Sequence, residues 1–547
     1  MKKILLAALA ASCTASLCAQ SAVDAYNLSQ TQSRGTARFM SMGGAFTALG
    51  GDLSTLAQNP AGIGVYRRSE IGATLDISPS KFTTDGAQKM SQNKTTVACN
   101  NFGYIGSVRL DGPMRTFNWG VSYSRVASFD RVFQAYVPST AGSLSNYIAA
   151  YTTNSINPAD PNGPVNPDNL DFGKDYNPYL NSDNDWLSIL AYTSSMISPL
   201  RGGGYAGLYQ NGTVGDALTT VREKGYVDEY NIDFGGNISD VVYWGIGFGI
   251  TDLSYTRNAF YSESMDNARV SIGGDFHNGK ANFDLHNSQH FSGSGWNFKA
   301  GVIIKPVNEL RIGIAVHTPT WYSLSQSGVG ATAYDYYTPD LPESEAVESD
   351  PSSFSNPLSG SKYTDDSYYN FHLNAPWRVM FGVAGVIANQ AIISLDYEIQ
   401  QYDAMRVKYQ NDWGEFVSDD YVNDDIKSYY KGTNTLRLGA EYRVTPQFSL
   451  RAGYSYSTSN VTDAAKHGQT EIYTAGTNPA YTFNDDSYSV SAGLGYRISS
   501  FSIDAAYVYR NRKATWHAYT DYDGQLAPTA PLTQSTNSIV LSLAYRF

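Results

Sequence analysis

The sequence predicts an all-β protein, a 14-stranded antiparallel transmembrane β-barrel with an N-terminal segment, here called the hatch, inside its lumen. Three observations lead to this prediction: a composition rich in tyrosine and glycine, a two-residue alternation of apolar and polar side chains, and links between the alternating runs that are alternately tight and long. Charged residues make up only 16% of the chain and aromatic residues reach 13%, a mixture that suits strands better than helical bundles.

The first residues predict export from the cytoplasm. Lys2 and Lys3 precede an apolar run at 4–11, and small residues lead to Ala19, so residues 1–19 are predicted to be a signal peptide cleaved after Ala19. Cys13 leaves open the alternative of lipoprotein acylation. After cleavage only Cys99 remains, so we expect neither a disulfide nor a cysteine metal site. The net charge of −12 argues against nucleic-acid binding.

The rest of the chain has no apolar run of about eighteen residues, which excludes membrane-spanning helices and leaves a barrel. The clearest strand is 537–547, where Ile539, Leu541 and Leu543 alternate with Ser538 and Ser542. Alternating runs predict strands at 69–78, 100–110, 117–134, 229–238, 241–258, 292–305, 310–325, 369–388, 391–407, 433–445, 448–459, 486–499, 501–516 and 537–547.

The links between these runs favour a bacterial outer-membrane barrel over a soluble β-sandwich. Every second link is tight, as at 239–240, 306–309 and 446–447, whereas the others are long, up to 135–228. Short periplasmic turns and long extracellular loops are the organisation of such barrels. We therefore predict a signal peptide at 1–19, a hatch at 20–68 and a barrel at 69–547, in the outer membrane of a Gram-negative bacterium.

The residues before the first strand are expected to fill the lumen, since fourteen strands enclose more space than wall side chains can fill. The glycine-rich stretch 37–64 has neither the lysine of a phosphate loop nor the strand that precedes a dinucleotide-binding turn. Its glycine pairs permit tight bends, Asp52 is predicted to cap a short helix at 53–58, and Asn59 before Pro60 ends that helix. A periplasmic extension is the alternative.

This stretch, ARFMSMGGAFTALGGDLSTLAQNPAGIG, resembles the N-terminal hatch of the FadL/TodX family of outer-membrane transport proteins. The matching positions are Gly43 and Gly44 of the Met-Gly-Gly-Ala run and Asn59, Pro60, Ala61 and Gly62 of the Asn-Pro-Ala-Gly run. The resemblance implies a fourteen-stranded barrel that passes hydrophobic compounds, such as long-chain fatty acids or aromatic hydrocarbons, by passive diffusion past the hatch and sideways into the membrane at a distorted third strand. Phe547 likewise resembles the terminal residue that outer-membrane barrels present to the barrel-assembly machinery.

The third predicted strand changes phase where the resemblance places the lateral opening. Residues 117–123 alternate regularly, but Arg125 then falls on the apolar phase and Val126 follows it. Because an arginine facing lipid costs a few kcal/mol, a bulge at Ser124, Arg125 and Val126 is predicted. The alternative is that the strand has left the bilayer by Arg125.

The longest loop contains an apolar segment that could form an extracellular landing groove for a hydrophobic ligand, or could pack against its own loop. Its candidate residues are Trp186, Ile189, Leu190, Tyr192, Met196 and Ile197. Lumen-phase charges are expected to form a paired network that braces wall and hatch, although an arginine among them could meet a fatty-acid carboxylate. These charges are Lys299, Asp396, Glu398, Arg437, Glu441, Arg443, Arg451, Asp504 and Arg510.

No nucleophile elbow or zinc-protease motif occurs, so we expect a protein that is not an enzyme and needs no cofactor or metal. The partners we expect are hydrophobic small molecules, outer-membrane lipid and the assembly machinery, with the protein a monomer. Three functions remain open: a passive transporter for hydrophobic compounds, a gated pore for polar solutes, and a barrel component of a secretion or surface assembly.

Overall fold

The computed structural model describes residues 21–155, 164–181, 184–342, 347–350, 369–388, 390–411, 413–522 and 525–547. The predicted signal peptide lies outside these residues and stays a prediction. No helix within the described ranges is long and apolar enough to cross a membrane.

Fourteen strands form one closed antiparallel sheet in the described part of the chain, which confirms the predicted fold class. Each strand pairs with its neighbours in sequence, and the first pairs with the last. Four strands are interrupted and have two segments each. The strands are β1 Glu70–Thr84, β2 Met90–Arg109, β3 Met114–Ser128 and Arg131–Val137, β4 Val214–Ile238, β5 Val242–Ile272, β6 Asp275–Val307, β7 Leu310–His317 and Trp321–Tyr337, β8 Tyr369–Asn374 and Arg378–Ile387, β9 Ala391–Gln401 and Arg406–Gln410, β10 Gly432–Arg443, β11 Phe448–Ser457, β12 Tyr481–Ile498, β13 Phe501–His517 and β14 Thr529–Arg546.

The alternation along each strand arises because successive side chains of a strand point to opposite faces. In β14, Ile539, Leu541 and Leu543 are about half exposed on the outer surface, whereas Ser538 and Ser542 are buried on the lumenal side. An apolar outer band with a polar interior is the arrangement that a lipid environment requires of a barrel.

Strands extend well beyond the predicted segments on the side of the long links. The first link consists of residues 85–89 only, and the fifth consists of residues 273–274, because β5 and β6 run for 31 and 33 residues. The prediction of long loops there is therefore wrong. The longest link, 138–213, is also shorter than the predicted 135–228, since β3 ends at Val137 and β4 begins at Val214.

Short helices fill the lumen and the longer links. Three α-helices precede the barrel: α1 Ala22–Leu28, α2 Ala37–Ser41 and α3 Thr55–Gln58, followed by the 3-10 helix Pro60–Val65. The link between β3 and β4 holds α4 Leu144–Asn154, α5 Pro178–Asn181, α6 Trp186–Thr193, the 3-10 helix Pro167–Asn169 and the paired strands Ser198–Pro199 and Tyr205–Ala206. Later links hold the strand Val347–Asp350, the strand Phe416–Ser418, α7 Asp420–Tyr429 and α8 Asp463–Lys466, while the 3-10 helix Tyr402–Ala404 lies between the two segments of β9.

The bends of the hatch depend on its glycine pairs. Gly43 and Gly44 have φ values of 64° and 78°, in the left-handed region that favours glycine. Asp52 differs from its predicted role: its carboxylate accepts hydrogen bonds from the Ser54 amide at 2.9 Å and from the hydroxyl of Thr36, and the helix proper begins only at Thr55. The carboxylate thus ties two parts of the hatch together.

Candidate functional site

The Asn-Pro-Ala-Gly run of the hatch lies against the inner wall of the barrel. Asn59 is fully buried; its Nδ2 donates to the Thr47 carbonyl at 2.6 Å and its Oδ1 accepts from the Ala61 amide at 3.0 Å. A methyl group on Gly301 of β6 would collide with Asn59 Oδ1, and one on Gly245 of β5 would collide with the carbonyl of Pro60. Wall glycines therefore make room for this motif.

The other half of the hatch docks in the same way on the opposite wall. A methyl group on Gly453 of β11 would collide with the backbone nitrogen of Gly43, and one on Gly439 of β10 would meet the Met42 carbonyl at 2.6 Å. These wall positions could not be predicted from the sequence, because a glycine in a strand does not by itself indicate what approaches it. Their lumenal phase, once the strands are aligned, is the signal that could have found them.

Polar side chains of several strands hold the hatch in place. Asp396 of β9 accepts from the Thr47 amide at 2.7 Å, Arg311 of β7 donates to the Leu49 carbonyl at 2.7 Å, and Asn118 of β3 donates to the Ile63 carbonyl at 2.6 Å. Arg38 in the hatch pairs with Glu441 of β10 at 2.9 Å. The hatch is thus fixed at points around the wall, and a shift requires several of these bonds to break.

The lumen-phase charges form networks as expected. Glu398 pairs with both Arg378 and Arg437, at 2.9 and 2.7 Å. Arg451 joins Glu441 and Asp504, each at 2.6 Å, and Lys299 pairs with Glu229. Arg510 instead donates to the Ser33 carbonyl of the hatch at 3.1 Å. These contacts brace the wall and position the N-terminal segment.

Helix α1 lies in the lumen on the side of the long links, within the predicted hatch, although no helix is predicted at 22–28. A capping box of Ser21 and Asp24 starts the helix, and burial raises the pKa of Asp24 above its usual value. Tyr26 stacks on Tyr430 with ring centroids 4.8 Å apart, contacts Tyr402 edge-on at 5.2 Å, and accepts a hydrogen bond from Asn484 at 2.8 Å. Serine followed three residues later by aspartate was the available signal.

A cavity of about 80 Å³ lies between residues 29–34 and the wall. Val126, Val227 and Tyr322 form part of its apolar lining, and Arg437 and Lys299 are among its charged residues. The Nε and Nη1 atoms of Arg437 are buried and have no hydrogen-bond partner among the described residues. The cavity therefore combines apolar walls with unused cationic donors.

The third strand is bulged at the predicted position. Arg125 faces Asp228 of β4 while Ala127 faces Val227, so Val126 is the extra residue. The ladder continues past the bulge to Ser128, so the strand does not end there. Arg125 pairs with Asp228 at 2.8 Å, and its guanidinium lies 4.9 Å from the ring centre of Tyr226, so the charge is compensated.

The wall beside this bulge is incomplete. β2 pairs with β3 only over Asn101–Arg109, opposite Thr116–Ser124, and residues 90–99 of β2 pair with β1 alone. Side chains bridge the gap: Lys94 pairs with Asp130 at 2.6 Å, and Gln92 donates to Gln134 at 2.8 Å. The hatch also reaches the bulge, since the Gln32 amide donates to the Val126 carbonyl at 2.9 Å.

The predicted extracellular groove is a packed core in this structure. The helical part of the segment is present as α6, but its apolar side chains face a cluster formed with Phe133 of β3, Leu144 of α4 and Phe283 of β6. Trp186, Ile189, Leu190, Met196 and Ile197 are at most 6% exposed, and only Tyr192 is partly exposed. A helix this apolar is more stable buried in its own loop, so the open-groove prediction is wrong for this conformation.

The comparisons with known proteins agree with this architecture. The family described as "Outer membrane protein transport protein (OMPP1/FadL/TodX)" matches residues 231–547. The chain belongs to this family. No curated protein sequence matches the chain. Among the described residues of this family member, no group of three or more His, Cys, Asp and Glu side chains could hold a metal ion.

Solved structures resemble this OMPP1/FadL/TodX family member in fold at low sequence identity. A FadL homologue of Pseudomonas aeruginosa is 14% identical with a TM-score of 0.51, and the alignment covers 94% of this chain and 99% of that one. The toluene transporter TodX of Pseudomonas putida is 12% identical with a TM-score of 0.43, covering 95% and 100%. The toluene transporter TbuX of Ralstonia pickettii is 14% identical with a TM-score of 0.40, again covering 95% and 100%.

Proposed function

We propose that the protein takes up hydrophobic compounds that carry a carboxylate, such as long-chain fatty acids, by passive diffusion past the hatch, and releases them into the membrane beside β3. One observation carries the proposal: a single lumenal cavity joins the unused donors of Arg437 to the bulge at Ser124, Arg125 and Val126. The named relatives TodX and TbuX are toluene transporters, so a neutral aromatic ligand is the nearest competing substrate.

The carboxylate of such a ligand would bind Arg437. A guanidinium presents a fork of donors that matches a carboxylate, and here Glu398 uses only Nη2. A hydrogen bond to a charged group contributes about 1.5–3 kcal/mol, which corresponds to about 10- to 100-fold in affinity. A neutral hydrocarbon gains nothing from these donors and would leave them unpaired.

The hydrocarbon chain of the ligand would extend along Val126, Val227 and Tyr322 toward the bulge. At about 80 Å³ the cavity is well below the roughly 300 Å³ of a typical ligand pocket. Residues 29–34 or α1 must therefore move before a long chain enters. The route then continues through the gap between β2 and β3, which only side chains such as Lys94 and Asp130 close above Asn101.

The proposal is tested by binding and uptake measurements on purified protein. We expect dodecanoate to bind with micromolar or better affinity, and Arg437→Gln to weaken that binding at least tenfold while dodecanol binding stays unchanged. Arg443→Gln is the matched control, because Arg443 faces the lumen below the hatch and lies outside this cavity. Equal loss of both ligands in Arg437→Gln, or none, would contradict the role of Arg437.

Two other functions remain as outcomes of these experiments. Rapid flux of small sugars through proteoliposomes, without dodecanoate binding, would make the protein a gated pore for polar solutes. A stable stoichiometric partner that co-purifies from native membranes would favour a component of a secretion or surface assembly. The hydrogen bonds that hold the hatch and the packing of Tyr26 on Tyr430 in the lumen argue against a permanently open pore.

A further inference from the structure

Two prolines face each other in adjacent strands of the barrel wall. His317 of β7 pairs with Arg378 of β8, and Trp321 pairs with Asn374, so the same register places Pro319 opposite Pro376. Proline has no backbone N–H and is normally confined to edges and bulges, and a closed barrel has no edge. Two missing donors at one point of the wall therefore need an explanation.

The backbone ladder is interrupted around this proline pair. Over residues 318–320 and 375–377, the hydrogen bond found between the two strands is the one from the Ala375 amide to the Thr320 carbonyl, 3.0 Å long. The next strand is irregular at the same place, where the 3-10 helix Tyr402–Ala404 divides β9. The register on either side sets residues 375–377 of β8 against residues 401–405 of β9.

Side chains change face across the interruption. Below it, His317 and Arg378 point into the lumen; above it, Tyr322 and Leu373 do so. Residues that share a face of a strand are an even number apart, but His317 and Tyr322 are five residues apart. The alternation has therefore shifted by one residue, as it does at a bulge. The β3 bulge is the same kind of feature on the other side of the lumen.

The cavity that reaches Val126 also reaches the proline pair, since Thr318, Ala375 and Pro376 belong to its lining. On the outer surface, Trp321 packs on Trp296 with ring centroids 4.4 Å apart, and Trp377 is only partly buried. Tryptophans of this kind mark the membrane–water interface of barrels. The interruption therefore connects the lumenal cavity to the wall where lipid begins.

We infer that the interruption at Pro319 and Pro376 is a second lateral opening, through which a hydrophobic ligand passes between the lumenal cavity and the membrane. The inference rests on the proposed function and extends it to a second route. Tyr402, which begins the adjoining 3-10 helix, contacts Tyr26 of α1 edge-on at 5.2 Å. Displacement of α1 by a ligand thus removes support from the same stretch of wall.

A disulfide across the interruption tests this opening. Thr318 and Trp377 lie one residue beyond the pair His317 and Arg378, and alternation from Val316 and Val379 places both on the outer face. Opposite Cβ atoms of a regular sheet lie about 5 Å apart, which is within reach of a short cross-link. The pair Thr318→Cys and Trp377→Cys is made in a Cys99→Ser background. The control pair, Val316→Cys and Val379→Cys, joins outward-facing partners in the regular ladder just below. If oxidation does not form the disulfide, a short bifunctional thiol reagent cross-links the same two cysteines.

Binding of labelled dodecanoate and its transfer into liposome lipid are measured separately, before and after reduction. We expect the lock across Thr318 and Trp377 to slow transfer at least twofold with unchanged binding, reduction to restore the rate, and the control lock to have no effect. An unchanged transfer rate with intact binding overturns the second opening while uptake beside β3 stands. Loss of dodecanoate binding in every form, the unlocked protein included, refutes the proposed function instead.

Discussion

Gly301→Ala should undock the hatch, because the added methyl group occupies the position of Asn59 Oδ1. Asn59 must then turn, which breaks its bonds to Thr47 and Ala61. A neutral hydrogen bond contributes about 0.5–1.5 kcal/mol, and a buried group left unpaired costs about 1–3 kcal/mol. With both bonds lost, docking weakens by about 2–4 kcal/mol, so the undocked fraction rises about 30- to 700-fold.

Single-channel conductance in planar bilayers reports this change, since an undocked hatch lets small ions through. Gly385→Ala in β8 is the control, because the nearest atom to its added methyl group is the Glu309 carbonyl oxygen at 4.0 Å. In an Asn59→Ala background the clash is gone, so Gly301→Ala should then add little, a coupling that a double-mutant cycle measures. Equal conductance in Gly301→Ala and Gly385→Ala, or an undiminished effect in the Asn59→Ala background, would refute the reasoning.

Three further perturbations probe the helix, the gap and the loop. Tyr26→Ala should remove the main packing contact of α1, since truncating a buried aromatic side chain to alanine lowers stability by about 3–5 kcal/mol. Hydrogen exchange at residues 22–28 and the rate of dodecanoate binding should both increase, whereas Tyr26→Phe should change them little. Lys94→Gln should speed ligand transfer about 1.5- to 5-fold at low salt and less at high salt, since Lys94 and Asp130 are a partly exposed pair. Burial raises the pKa of Asp185, the N-cap of α6, to about 6, so the folded loop binds protons more tightly than the unfolded loop. The thermal stability of the loop should therefore be greatest near pH 4 and should fall as the pH rises to 6. Pulse-labelled hydrogen exchange of residues 186–193 measures this pH dependence, which Asp185→Asn should remove.

The number and order of the strands could be predicted because lipid imposes a rule on each strand separately. Every membrane-spanning segment must be apolar outside and polar inside, so the alternation is visible without knowledge of any partner. The halves of β5 and β6 on the side of the long links were not predicted, because that rule stops at the membrane surface. Residues 259–272 and 275–291 lack the alternation of the membrane-spanning segments, and the pairing of β5 with β6 makes them strands.

Features of the candidate site could be predicted only where a residue departed from the apolar–polar alternation of its own strand. Arg125 on the apolar phase indicated the bulge, because an unpaired arginine in lipid is costly. By contrast, the glycines that receive the hatch and the prolines of β7 and β8 satisfy no local pattern; their meaning depends on which residue lies opposite. Burial of Trp186 in its own loop is likewise a property of packing partners that are distant in sequence.

The close fit of hatch and wall constrains where a ligand can travel. Gly245, Gly301 and Gly313 approach the hatch so closely that even one methyl group would collide with its backbone or with Asn59. A hydrocarbon chain is at least as wide as a methyl group, so it cannot pass between hatch and wall on this side while the hatch is docked. None of these three glycines lines the cavity at Val126, which reaches the wall at residues 124–126 without passing the contact between Asn59 and Gly301. Undocking of the hatch at Asn59 and sideways release of a ligand past residues 29–34 are then separate events. Gly301→Ala should therefore raise ion conductance, while the rate of dodecanoate transfer into liposome lipid stays within about twofold of the unmodified protein. A parallel rise in both rates would mean that the ligand leaves beneath the hatch.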